Sequence, residues 1–192
     1  LKPYGVRFDI LDPAGIQALE PHLTGDFVGG VHWRDPGTVS DPGGLTKAYA
    51  DLFVRRGGRF VTADARRLSQ EPDGSWSLAG DEPIAAREAV VALGPWSDAI
   101  FAPLGYTIPL AVKRGYHRHY APAGNAVLGH PVLDLDEGYV LAPMRRGIRI
   151  TTGAEFAHRD APPSPVQLAK VEPVARRTFP LAETVDAEPW LG

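Results

Sequence analysis

The run Glu88-Ala89-Val90-Val91-Ala92-Leu93 constrains this chain more than any other segment. A half-buried strand alternates apolar and polar residues. A nearly continuous apolar run is instead the pattern of a strand buried on both faces, as in a parallel sheet. Gly94 ends the run, and a residue without Cβ lets the backbone lie close to another group. Trp96 and Ser97 follow, inside a short helix expected over Pro95 to Leu104. A chain with such a strand must build a sheet and cover it.

The chain has the material for that. Its 192 residues are 44% hydrophobic and 22% charged, an ordinary composition for a packed domain. Net charge is −3, from 20 Lys and Arg against 23 Asp and Glu, which gives no electrostatic case for nucleic acid or an anionic membrane. No apolar run approaches the roughly 20 residues that span a bilayer. There are no cysteines, which excludes disulfides, thiolate metal sites and a cysteine nucleophile, and fits a cytoplasmic protein. The chain begins with Leu1 and its one methionine is Met144, so a longer translation product is expected to carry it.

Local signals outline the elements. Tyr4 to Leu11 reads as a strand, and Asp12-Pro13 as N-cap and first residue of a helix to about Glu20. Phe27 to Trp33 is strand-like. Asp41-Pro42 starts a second helix, with Leu45, Ala48, Tyr49, Leu52 and Phe53 on one apolar face and Gly57-Gly58 as its stop. Arg59 to Ala63 reads as a short strand. Arg67 to Gln70 and Ser75 to Leu78 flank the turn Pro72-Asp73-Gly74. Strands follow at Ile108 to Tyr120, Pro131 to Leu135, Gly138 to Pro143 and Gly147 to Gly153. Ser164-Pro165-Val166-Gln167 opens a helix to about Arg177. The expected fold class is α+β, a mixed, largely antiparallel sheet with covering helices.

Ala89 to Ser97 resembles the V-x-A-x-G-x-W-S element of the FAD-dependent amino-acid oxidase and dehydrogenase superfamily. Further matches follow in order. Leu19 to Leu23 resembles L-x-P-x-L, and Asp41-Pro42 the family's D-P helix entry. Gly57 to Val61, then Ala65 to Leu68, resembles its approach to the adenine, with Ala65 where Val is usual. Ile108 to Gly115 resembles x-P-L-x-x-x-R-G, Gly138 to Pro143 resembles G-Y-x-x-x-P, and Gly147 to Phe156 resembles the G-x-R-x-x-G-x-x-E of the D-amino-acid dehydrogenase branch. The series spans about residues 15 to 192. No G-x-G-x-x-G occurs, and Trp190-Leu191-Gly192 falls inside a W-x-G-x-R-P motif, so the parts that hold the FAD pyrophosphate and close over the flavin are expected outside this chain.

The resemblance implies three segments: substrate domain at 1–56, part of an FAD-binding domain at 57–105, and substrate domain again at 106–192. It implies FAD in the parent protein, nucleotide-facing residues Ala65, Ala92, Leu93, Gly94 and Trp96, and hydride transfer from a substrate α-carbon to flavin N5. An amino acid or amine is the implied small-molecule partner, beside the rest of the polypeptide or a flavoprotein subunit. For substrate contact the candidates are Tyr139, with a hydroxyl for a carboxylate; Arg149, with a guanidinium fork; and Arg114 and His117 on one long strand. Each has a plainer reading, Tyr139 and Trp96 as packed aromatics and His117 as part of a polar face. His117 and His119 point the same way, but a metal needs a third ligand and none is evident. Arg145 and Arg146 read as a solvated turn, Glu155 as a surface charge. The competing reading is a non-catalytic small-molecule-binding module or subunit of a flavoprotein complex.

Overall fold

A computed structural model describes residues 2–164 and 166–192. In chain order the elements are β1 (Phe8–Leu11), α1 (Pro13–Leu19), β2 (Gly30–Trp33), α2 (Pro42–Arg55), β3 (Leu68–Gln70), β4 (Trp76–Leu78), β5 (Ile84–Ala86), α3 (Asp98–Phe101), β6 (Lys113–Arg114), β7 (Tyr116–Pro122), β8 (Val132–Asp134), β9 (Tyr139–Met144), β10 (Gly147–Thr152), β11 (Glu155–Phe156), α4 (Val166–Thr178), β12 (Leu181–Thr184) and β13 (Trp190–Leu191). The chain is α+β, and every described strand pair is antiparallel.

Local chemistry explains several boundaries. Asp12 caps α1 by accepting a hydrogen bond from Gly15 N at 2.7 Å, with Pro13 at the first helical position. Gly57, at φ +90°, ends α2, and Gly57 N and Gly58 N donate to the carbonyls of Val54 and Phe53. Asp73 turns the β3–β4 hairpin by accepting from Ser75 N. The first helical position expected at Pro165 lies outside the described residues, and α4 ends one residue beyond the expected Arg177. The sequence reading missed the short strands β5, β11, β12 and β13.

Residues 1–43 and 113–192 form one compact unit, and 44–112 a second. The first is built on a six-stranded sheet, ordered β12-β7-β10-β9-β8, with β13 also on β7. α4 packs on β10 and β7. Leu168, Val171, Ala175 and Phe179 meet Tyr120, Tyr139, Leu141, Ile148 and Ile150 in one core. Strand alternation sends the intervening residues to the opposite face. Gly147 makes the tight β9–β10 turn possible: its φ is +128°, and a Cβ there would lie 2.5 Å from Tyr120 O.

The second unit holds the β3-β4-β5 sheet and α3, which packs against a 3-10 turn at Ala65–Arg67. Two strand expectations fail here. Residues 59–63 and 88–93 form no strand and pair with none among the described residues. Val90 is 91% and Phe60 73% exposed. The physical reason is that a strand buried on both faces needs neighbours, and none of the described strands supplies them. The α2 face is likewise uncovered: Leu45, Tyr49 and Phe53 are exposed. Its helical spacing was right, its burial not. The expected strand from Ile108 also begins only at Lys113.

Candidate functional site

The face of the six-stranded sheet turned away from α4 carries the candidate site. Strand register sets it. His117 of β7 faces Thr151 of β10 and Trp190 of β13, and Thr151 faces Val140 of β9, which faces Leu133 of β8. These five form one row across the sheet. In the next row His119 faces Arg149, and Arg149 faces Ala142. The middle of the face is therefore a polar quartet, His117, His119, Arg149 and Thr151. Trp190 borders it on one side, small and aliphatic residues on the other.

Asp186, just beyond β12, organises one side of the quartet. Its Oδ2 accepts from His119 N at 2.8 Å and from His119 Nδ1 at 2.7 Å. Its Oδ1 lies 2.7 Å from Arg146 Nη2. Burial pushes the Asp186 carboxyl up, but the His119 hydrogen bonds and the Arg146 charge outweigh it and hold the group below its ordinary value. Both oxygens are thus engaged. His117 stacks on Trp190 with ring centroids 4.6 Å apart and meets His119 edge-on at 5.2 Å. Burial, then the Arg149 charge, lowers the His117 pKa to about 4, so its ring is neutral near pH 7.

Arg149 differs from its neighbours. Its Nε and the Thr151 hydroxyl are buried and meet no hydrogen-bond partner. Burial pulls its pKa down, and no carboxylate among the described residues pairs with it. An unpaired, partly desolvated guanidinium is costly unless something anionic completes it. A guanidinium in this state is the group on this face suited to an anion, and a carboxylate matches its fork.

The structure brings His117 and Arg149 together and places the other two substrate candidates elsewhere. Tyr139 is 1% exposed on the covered face, where its hydroxyl donates to Thr178 Oγ1 at 2.9 Å. Arg114 is buried and spent. It binds Glu155 Oε2 at 2.8 Å through Nη2 and donates to the carbonyls of Ala161 and Pro162. Glu155 is accordingly a largely covered partner, not a surface charge. Arg146, read as part of a solvated turn, is exposed yet paired to Asp186. Sequence reasoning missed Asp186, Thr151 and Trp190. Register would have found Thr151 opposite His117, whereas Asp186 lies 67 residues from its partner and carries no local signal.

In the second unit, Ala65 opens the 3-10 turn that packs on α3. Ala92, Leu93, Gly94 and Trp96 are exposed along the unpaired segment 88–93 and the 3-10 turn that follows it. The model matching all 192 residues is that of DAO, FAD dependent oxidoreductase. The chain belongs to this family. D-amino acid dehydrogenase of Xanthobacter autotrophicus is 33% identical, aligned over 83% of this chain and 39% of its own length. That of Methylobacterium nodulans is 30% identical over 100% of this chain and 47% of its own. Glycine oxidase from Geobacillus kaustophilus superposes with TM-score 0.83 at 20% identity, over 100% of this chain and 52% of that one. The chain thus spans about half or less of these proteins.

The residues present fit one part of FAD. The backbone of Glu88 to Ala92 makes no hydrogen bond among the described residues, and open space lies beside Gly94, whose φ is +55°. That segment suits close approach of a nucleotide or a neighbouring strand. A glycine-rich pyrophosphate loop is not among the 192 residues. No helix of the described residues is long and apolar enough to cross a membrane.

Proposed function

We propose that this chain carries the substrate face of an FAD-dependent oxidoreductase that oxidises an amino acid or a secondary amine. The observation that carries the reading is Arg149, a guanidinium without an anionic partner at the centre of a sheet face. When bound, FAD supplies the acceptor for the hydride that leaves the substrate α-carbon. The chain's own residues bind and orient. Arg149 takes the carboxylate, and Thr151 donates a second hydrogen bond to it. Trp190, Val140 and Leu133 border the polar quartet and keep water from its flanks. Tyr139 and Arg114 act from behind the face, as packing and as a buried brace.

Ala65, Ala92, Leu93, Gly94 and Trp96 would lie along the nucleotide. They fall within the unit 44–112, which encloses the 57–105 segment expected to belong to the FAD domain. The exposed apolar surface of α2, Phe60 and Val90 takes the remainder of that domain as cover. The names of the relatives support an amino acid as substrate. The absence of cysteine supports a cytoplasmic setting.

The test is to express the whole open reading frame that carries these residues, here called the full chain, record flavin absorbance, and add D-alanine, glycine or sarcosine without oxygen. Bound flavin bleached by at least one of the three is the expected result. A full chain that holds no flavin would point instead to the non-catalytic binding module.

A further inference from the structure

No further inference is drawn: the strongest candidate, the side-chain cluster at the end of α1 in which Glu20 holds His130 and His32 lies edge-on to His130 beside Asp9, supplies two imidazoles but no third metal ligand among the described residues, and nothing in the structure shows what else it would hold.

Discussion

The two units answer similar sequence patterns differently. α4 and α2 are both amphipathic. In the first unit α4 buries Leu168, Val171 and Ala175 against the six-stranded sheet. In the second, α2 buries none of its residues. β9 and the run at 88–93 are both apolar, yet β9 sits between two partner strands while 88–93 has none among the described residues. Of the buried apolar side chains described, Ile100 is the one from the second unit. The lesson is that amphipathicity states a demand for cover, and burial requires that the cover be present. The polar face of the first unit makes the same kind of demand, with Arg149 in place of a hydrophobic surface.

Mutations should separate the units by size of effect. Ile150→Ala opens a cavity in the middle of β10, beneath α4, and should cost about 2–5 kcal/mol in denaturant unfolding of the full chain. Gly147→Ala forces a left-handed turn onto a residue with a Cβ and drives that atom into Tyr120 O. A loss of about 1–3 kcal/mol, read as a lower melting temperature, is expected.

The next effect belongs to pH. His117 titrates at about 4 in the folded chain, below its ordinary 6.5, because of burial and the Arg149 charge. His119 and Arg146 push the same way, and Asp186 opposes them. The unfolded chain therefore binds more protons between these values. The His117 contribution to stability is complete above about pH 6.5 and is lost as pH falls toward about 4. Melting curves across that window should flatten in His117→Gln, and an unchanged slope would remove His117 as the cause. Smallest of all, Val90→Ser should change the stability of this part by no more than about 0.5 kcal/mol, because the side chain is already exposed. Its effect should fall on flavin retention, measured by absorbance after gel filtration. A stability loss as large as that of Ile150→Ala would erase the distinction between the units.

Much of the fold was legible from local chemistry. Asp12-Pro13, Asp41-Pro42, Gly57-Gly58 and Pro72-Asp73-Gly74 set helix ends and a hairpin through contacts a few residues long, so the sequence carried them. The two- to four-residue strands β11, β12 and β13 were not legible, because pairing with distant partners defines them. Half of the candidate site was visible in the same sense. His117 and Arg149 stood out by type, but nothing local showed that Tyr139 would turn to the covered face or that Arg114 would be taken by Glu155.

The sequence by itself determined where the chain turns, caps and alternates, and which family it resembles, since those depend on near neighbours and ordered motifs. Only the tertiary structure decided which of two faces each strand residue joins. A shift of one residue in register reverses every side chain of a strand. Register here is fixed by the β9–β10 turn at Gly147 and by the core under α4, both made of contacts between distant parts of the chain. The same long-range pairing delivered Asp186 to His119 and left Arg149 without an anion.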